Sequence, residues 1–454
     1  MVYDNLVGYD ETLTPQASRS LAESWEIPDE TTLIFKLRPG ITFHDGSPVT
    51  ADEVKWHIER ARDLDIAVTA QDTQFIANVE TVDELTSKWT LSQPFAPLIR
   101  ILGDRPGMLV SRKQVEATDE FQGRHPVGTG AMKFVEEIDG DRIVVEANEN
   151  YWKEGAPLVD GVVMRFGVTP DQKINGLLAG DLDIIDAPDP NQLDVLRDAG
   201  MTVQNIPTNA LQRTWLNMNK APWDNVHLRR AVNYAVDREE LNKLVYNGVH
   251  TPASFGFMGP ALGADHDPNF EGFKFDPEKV RAELSLAGFP DGFEYEVNTS
   301  ANPLSLEKDE LIQAQYAQFG IVRNIIPKPS PDYYTEFWDL NVGAHSSGMS
   351  VRADVWQQIS FVANANGFSK NVLPDENDEF RKAIDEALSR TAAAFDPEER
   401  KVEIQKLNQA YMDSAWGVDY LYSSYQVAHK PEIVYTARGE GKFHFGQDDI
   451  GITS

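Results

Sequence analysis

The sequence predicts an α/β protein composed of more than one structural unit. Two observations predict the class: a strand–helix–strand succession over residues 162–185, and helix start signals spread along the chain. The length of 454 residues corresponds to two to four units at roughly 150 residues each. The hydrophobic fraction of 41% is sufficient for buried cores.

Strands are predicted where short apolar runs meet turn residues, as at residues 33–37 and 142–147. Residues 162–166 form a third run, which leads into a helix over 173–179 and then a strand over 182–185. Parallel strands need a crossover of this kind, so the succession favours a parallel sheet.

Helix starts are predicted by capping residues. Residues 50–53 form a capping box, and Asp237 precedes Glu240 at the same spacing. Asp276 and Asp396 each stand before a proline, which suits the first helical position. We expect the helix after Asp276 to end at Gly288. The helix after Asp396 carries apolar residues at helical spacing, which predicts a buried stripe of Ile404, Leu407 and Tyr411.

The charge balance excludes anionic macromolecules as partners. Lys and Arg total 41 against 72 Asp and Glu, a net charge of −31. This field repels phosphate backbones and anionic lipid, so we predict no binding to nucleic acid or to a membrane surface. The charge serves solubility, with attraction of a cationic ligand as the alternative.

Residues for catalysis, metal binding or cofactor binding are not recognisable as motifs. The chain has no cysteine and its nine histidines are scattered, so we predict no metal and no cofactor. Residues 128–130 and 44–46 are interpreted as turns rather than a phosphate loop or a His–Asp dyad. The stretch 345–348 lacks the pattern of a serine nucleophile. The acids over 181–189 are interpreted as solvated, with a cation site as the alternative.

The start of the chain and its hydropathy bear on location. No apolar run approaches the length of a membrane span, and residues 1–4 lack the features of a signal peptide. We expect an exported protein whose signal has been removed or is not included.

Long stretches, taken in order, resemble the bacterial extracellular solute-binding proteins of family 5, which serve ABC importers of peptides, glutathione, nickel chelates and some sugars. The most characteristic is FKLRPGITFHDG over 35–46, continued by TADEV over 50–54. Others follow at 127–130, 150–152, 178–183, 216–219, 229–238 and 287–292. The chain departs from the family by beginning after its usual first strand, which leaves one sheet edge in doubt.

The resemblance implies a two-lobed, type II periplasmic-binding-protein fold. It implies a first lobe over 1–255 with an extra subdomain inserted at about 10–126, a second lobe over 256–420, and a return to the first lobe over 421–454. Hinge crossings are expected near 251–255 and 422–429.

The resemblance also implies function: capture of a small ligand by hinge closure and delivery to an ABC permease in the membrane, without catalysis. The protein is then a periplasmic or surface-anchored monomer. Where oligopeptide-type relatives carry an acid, this chain has Arg352, whose planar fork suits a carboxylate. We therefore expect a short peptide or another carboxylate-bearing ligand; a surface or inter-lobe arginine is the alternative.

The expected ligand-binding residues come from three stretches. Aromatic residues are concentrated over 416–425. Two interpretations remain for them: the wall of a ligand site and ordinary core. The full set is Tyr3, Asp4, Met349, Arg352, Asp354, Trp356, Trp416, Tyr420 and Tyr422. A sugar or metal chelate remains an alternative ligand. An unidentified hydrolase, or a peptide receptor without a transporter, remains an alternative function.

Overall fold

A computed structural model describes residues 1–63, 67–117, 124–339, 342–363, 372–374, 376–436 and 449–453. The chain divides into two compact units, which are described separately. The first comprises Met1–Ile206 and Tyr425–Ser454, and the second comprises Pro207–Ser424. In the described part of the chain, no helix is both long and apolar enough to cross a membrane.

The first unit begins with strands and short helices in alternation. Its strands are β1 (Gly8–Tyr9), β2 (Pro15–Gln16), β3 (Ala22–Asp29), β4 (Thr32–Leu37), β5 (Ile76–Thr81), β6 (Thr86–Leu91), β7 (Met132–Ile138), β8 (Arg142–Ala147), β9 (Gly161–Arg165) and β10 (Ile184–Asp186). Its helices are α1 (Ala51–Asp63), α2 (Ala67–Thr73), α3 (Leu98–Ile101), α4 (Arg112–Ala117), α5 (Pro170–Ala179) and α6 (Leu193–Asp198). Short 3-10 turns cover Ala17–Arg19, Arg105–Gly107 and Pro190–Gln192.

The remaining elements are mostly those of the second unit. They are β11 (Thr202–Leu216), α7 (Val226–Tyr234), α8 (Arg238–Tyr246), β12 (Thr251–Pro252), a 3-10 segment (Pro260–Asp265), α9 (Pro277–Leu286), β13 (Glu294–Ser300), α10 (Pro303–Ala317), β14 (Val322–Lys328), α11 (Ser330–Asp339), β15 (Ala344–Met349), α12 (Val355–Ala363), α13 (Glu379–Ala393), α14 (Pro397–Ser414) and β16 (Gly417–His429). The chain then contributes β17 (Ile433–Tyr435) and β18 (Ile450–Ile452) to the first unit.

The first unit contains separate antiparallel sheets. One has the order β3-β4-β6-β5 and lies within the stretch predicted as an inserted subdomain. Another has the order β7-β8-β9, and two-stranded pairs are formed by β1-β2 and by β17-β18. Helix α1 packs on the first of these sheets through β5 and β6 and buries Val54 and Ile58.

The second unit has a mixed sheet at its centre, in the order β16-β11-β15-β13-β14, with β12 paired to β16. Strand β13 pairs in parallel with β14 and with β15, whereas β11 pairs antiparallel with β15, from Leu211 opposite Met349 to Leu216 opposite Ala344. A core cluster joins this sheet to helices α7–α10 through residues that include Leu228, Val297, Ile312 and Tyr420. Strand β15 therefore lies between β11 and β13, and its carboxyl end is paired with β11.

The boundaries of the two units differ from the expected lobes. The expected first lobe ran to about 255, whereas the first division falls between Ile206 and Pro207. Thr251 and Pro252 instead pair with Tyr422 and Leu421 inside the second unit. The reason is that β11 and β16 are long, continuous strands, and the chain passes between the units within them.

The expectation of a parallel sheet from residues 162–185 was wrong. Strand β9 pairs antiparallel with its neighbour in the chain, β8. Strand β10 pairs antiparallel with residues 427–429 of β16. The parallel pairs lie in the second unit, where α10 connects β13 to β14. Strand pairing depends on contacts distant in sequence, which local patterns do not specify.

The predicted helix starts are confirmed. The Thr50 hydroxyl accepts from the Glu53 amide 3.4 Å away, and the Asp237, Asp276 and Asp396 carboxylates accept from the first-turn amides of α8, α9 and α14. Gly288 follows the end of α9 with a φ of +84°. The predicted stripe of Ile404, Leu407 and Tyr411 is buried.

Candidate functional site

Two of the predicted ligand residues, Tyr3 and Asp4, belong to the first unit. The Asp4 carboxylate accepts from Trp152 Nε1 at 2.8 Å and from the Tyr151 hydroxyl at 3.2 Å. The Arg38 guanidinium lies 4.9 Å from the Trp152 ring centroid. Burial raises the pKa of Tyr3 to about 12, so its hydroxyl is protonated at neutral pH and can donate a hydrogen bond.

The turn over residues 128–130 lies directly against this opening segment. The Gly130 amide donates to the Val2 carbonyl at 2.9 Å. A Cβ at Gly128 would stand 2.2 Å from the Val2 carbonyl oxygen, so a side chain there would displace the backbone. The glycines therefore serve close backbone approach, as predicted for a turn, and they fix the position of Tyr3.

The other predicted residues belong to the second unit, and four of them lie where β15 ends and α12 begins. Met349 is the last residue of β15 and lies opposite Leu211 of β11. The backbone of Arg352 is bound on both sides: its carbonyl accepts from Asn209 Nδ2 at 2.7 Å and its amide donates to Gln358 Oε1 at 3.1 Å. These bonds fix the path of the segment 349–355, here called the Arg352 loop.

Arg352 is buried, with 6% of the residue exposed. Its guanidinium carbon lies 5.0 Å from the centroid of the Phe361 ring, on the second turn of α12. This is a cation–π contact, in which the positive charge is attracted to the face of the ring. It holds the guanidinium beside the first two turns of α12.

Asp354 and Trp356 are both tied into the protein. One Asp354 oxygen accepts from the Trp356 amide at 2.8 Å, and the other accepts from Arg400 Nη2 at 2.6 Å. Trp356 is buried, and its indole donates to the Leu388 carbonyl of α13 at 3.0 Å. Asp354 thus serves as the N-cap of α12, and Trp356 packs α12 against α13.

The aromatic residues predicted near the end of the chain lie on or beside β16 and are buried. The Tyr420 hydroxyl lies 2.7 Å from Thr214 Oγ1, and the Tyr422 hydroxyl donates to the Gly256 carbonyl at 2.7 Å. Tyr422 also stacks on Phe255, with ring centroids 6.5 Å apart. Trp416 is 4% exposed. Tyr420 belongs to the core cluster of the second unit, so its packing matches ordinary core.

Sequence reasoning did not identify Asn209, Gln358 or Arg400, which hold the Arg352 loop. Their partners lie 143, 6 and 46 residues away along the chain. One local signal was available: residues 354–357 read Asp-Val-Trp-Gln before an apolar run, which is a helix start pattern. It predicts Asp354 as a cap, but not its ion pair.

The serine stretch 345–348 forms part of β15, and its Ser346 is enclosed in the protein. Ser346 is 2% exposed, accepts from Lys308 Nζ at 3.0 Å and donates to Asp309 at 2.9 Å. Burial lowers the pKa of Lys308. A Ser–Lys pair can be catalytic, but this one is enclosed beneath the sheet, where a substrate has no access.

The remaining motifs can also be placed. Residues 44–46 form a turn: Gly46 has a φ of +81°, and Asp45 accepts from Ser47 and from Ser111. Asp183 and Asp186 form ion pairs with Lys430 and Lys173. Across the residues that the structure describes, no group of three or more His, Asp or Glu side chains is arranged to hold a metal ion.

The fold and this site define a solute-binding protein of the two-lobed, type II class. The chain belongs to the bacterial extracellular solute-binding proteins, family 5, whose middle part matches residues 16–392. The resemblance drawn from the sequence is confirmed, and so is the fold class.

Among named relatives, the chain is 31% identical over 325 residues to the glutathione-binding protein GsiB of Pectobacterium atrosepticum, a match covering 70% of this chain and 62% of that protein. The chain therefore spans less than two thirds of that relative. It is 28% identical over 426 residues to GsiB of Shigella flexneri, covering 91% of this chain and 81% of the relative.

Solved structures share the fold. NikZ from Campylobacter jejuni, in complex with Ni(L-His), has a TM-score of 0.84 at 21% identity and covers 98% of this chain and 92% of its own. DppA from Helicobacter pylori, in complex with the peptide STSA, has a TM-score of 0.85 at 22% identity and covers 100% of this chain and 92% of its own. At these identities the likeness concerns the fold alone.

Proposed function

We propose that this protein is the substrate-binding component of a bacterial ABC importer, which captures a short peptide carrying free carboxylates and performs no chemistry on it. It acts in the periplasm or at the cell surface and delivers its ligand to a membrane permease. The observation that carries the ligand class is Arg352, a buried guanidinium on a loop whose backbone is fixed on both sides.

The charge of the protein makes this arginine more significant. A net charge of −31 repels anions in general, so an anionic ligand requires a local cation in a preformed site. Arg352 supplies a planar fork, and an arginine–carboxylate pair can form two parallel hydrogen bonds. Relatives named as glutathione-binding make glutathione, a peptide with two carboxylates, the first probe to use.

Hinge closure is part of the proposal. The chain passes between the units twice, between Ile206 and Pro207 and between Ser424 and Tyr425. Two crossings permit rotation of one unit against the other while each keeps its own core. A ligand drives closure only when it binds the closed form better than the open form. We expect the radius of gyration measured by X-ray scattering to decrease when a saturating ligand is added.

The test of the ligand class is calorimetric titration with glutathione, the dipeptide Met-Leu, a simple sugar and Ni(L-His)₂ as separate probes. We expect a carboxylate-bearing peptide to bind with one-to-one stoichiometry. Arg352→Ala should weaken that binding by about 1.5–3 kcal/mol, the range for a hydrogen bond to a charged group. The affinity of Arg352→Lys should lie between those of the parent protein and Arg352→Ala, because lysine keeps the charge but loses the planar guanidinium.

Arg390→Ala is the matched control, because it removes an exposed arginine of the same unit. Its guanidinium pairs with Glu386 of α13 and Glu403 of α14. Unchanged affinity in Arg352→Ala would remove this residue from the site. Binding of only the sugar or only the nickel chelate would replace the peptide with one of the alternative ligand classes.

A further inference from the structure

The start of α12 is joined to two other helices through one buried ion pair. The Asp354 side chain has no exposed surface, and the Arg400 side chain is 14% exposed. Arg400 extends from the first turn of α14, where its own amide donates to the Asp396 carbonyl at 2.8 Å. Its Nη1 donates to the Thr391 carbonyl near the end of α13 at 2.8 Å. One guanidinium therefore links α12, α13 and α14.

The same pair lies next to the Arg352 loop in the chain and in space. Asp354 follows Arg352 by two residues, and the Gln358 amide donates to the Asp354 carbonyl at 2.9 Å. The Gln358 side chain in turn accepts from the Arg352 amide and donates to the Asn209 carbonyl at 3.2 Å. A shift of the first turn of α12 would therefore move the groups that hold the Arg352 backbone.

The Asp354 carboxylate is unsuited to contact an anionic ligand itself. Both of its oxygens are already acceptors inside the protein, and its charge would repel a carboxylate. Its effect on a ligand must therefore pass through the position of its neighbours.

We infer that Asp354 and Arg400 are positioning residues, which set the geometry with which Arg352 meets the carboxylate of the ligand. This inference rests on the proposed function of Arg352. It assigns Asp354 a role different from the ligand contact expected from the sequence, and it adds Arg400, 46 residues away. Small displacements of a binding group are costly because directional hydrogen bonds weaken steeply with misalignment.

The test is a double-mutant cycle with Arg400→Met and Arg352→Ala, using glutathione as the titrant. Arg400→Met removes the guanidinium but leaves Asp354 able to cap α12. We expect it to weaken binding about tenfold, the factor that corresponds to one hydrogen bond to a charged group. In the Arg352→Ala background the same change should have less than about a twofold effect, because residues acting through one group are not additive. Arg390→Met, the matched control, should leave affinity unchanged in both backgrounds.

A second measurement needs no ligand. Hydrogen exchange of the amides of residues 355–358 should be faster in Arg400→Met than in the parent protein, and Arg400→Lys should be intermediate. If Arg400→Met does not fold, Asp354→Asn replaces it, because asparagine keeps the acceptor for the Trp356 amide and loses the ion pair.

The outcomes separate the two proposals. Absence of glutathione binding by the parent protein would count against the proposed ligand, while the exchange rates would still decide whether the pair fixes the loop. Unchanged exchange at 355–358, or a loss of affinity that is equal with and without Arg352, would overturn the positioning role.

Discussion

Among the buried aspartate–arginine pairs of the second unit, two use the same chemistry in different places. Asp309 of α10 pairs with Arg323 of β14, and both side chains lack exposed surface. Asp354 pairs with Arg400 at the start of α12. The first pair joins regular elements of the central sheet and its helices, whereas the second joins a helix start to the Arg352 loop.

Further hydrogen bonds surround the Asp309 pair. Asp309 also accepts from Thr299 at 2.5 Å and from Ser346 at 2.9 Å, and Arg323 donates to the Tyr295 hydroxyl at 2.9 Å. A buried pair within such a network specifies one arrangement of its elements, although its net contribution to stability is small. The same chemistry therefore has different roles at the two positions: the first pair maintains the fold, and the second controls a loop.

The largest expected effect is that of Asp309→Ala, which leaves Arg323 and Lys308 as buried cations without this counter-ion. Breaking a buried pair from one side costs about 3–5 kcal/mol. We expect a correspondingly large decrease in the urea midpoint of the second unit. Tyrosine and tryptophan fluorescence measures this midpoint. A midpoint within error of the parent value would contradict the structural role of this pair.

The two pairs also differ in how much the sequence could reveal. Helices α1, α9 and α14 were predictable because a capping box, or a cap followed by proline, acts over three or four residues. The fold class was recognisable from long stretches such as 35–54. The ion pairs were not predictable, because Asp309 and Arg323 come together only when α10 packs on β14. The Arg352 loop was expected from the family resemblance. Its supports at Asn209 and Arg400 were missed, because they too are distant from the loop in sequence.

Acid should weaken the second unit through His345, which stacks on Tyr333 at 4.7 Å beside the Asp309 cluster. Burial lowers the pKa of His345 to about 4 from an ordinary value of 6.5. Between these values the unfolded chain takes up a proton that the folded chain does not. The free energy of unfolding should therefore fall as pH falls from 6.5 to 4, by about 2.5 kcal/mol.

The variant His345→Gln isolates the contribution of His345 to the pH dependence of the unfolding free energy. Its unfolding free energy should depend less steeply on pH across that window, while other titrating groups continue to act. A pH profile parallel to that of the parent protein would show that His345 titrates alike in the folded and unfolded chains.

Arg400→Met should affect stability less than Asp309→Ala, because Asp354 keeps its hydrogen bond from the Trp356 amide, whereas Asp309→Ala leaves two buried cations without that counter-ion. We expect a loss of about 1.5–3 kcal/mol, the range for a hydrogen bond to a charged group. Thermal unfolding without ligand measures it. A loss as large as that of Asp309→Ala would make the second pair a fold determinant and remove the contrast between the two.

The smallest expected effect is that of Arg390→Met, which removes an exposed pair with Glu386 on α13. Exposed pairs contribute about 0–1 kcal/mol, and salt screens them. Its unfolding midpoint should match the parent value at 0.5 M salt. A larger shift would indicate that its contact with Glu403 of α14, 3.2 Å away, supports the helix pair.

We propose that this protein holds its ligand and leaves it intact. Equilibrium dialysis of the purified protein with glutathione, followed by mass spectrometry of the ligand released on denaturation, tests this proposal. We expect one equivalent to be retained and to be recovered at its original mass after long incubation. A cleaved or modified product, formed in proportion to protein and time, would contradict it.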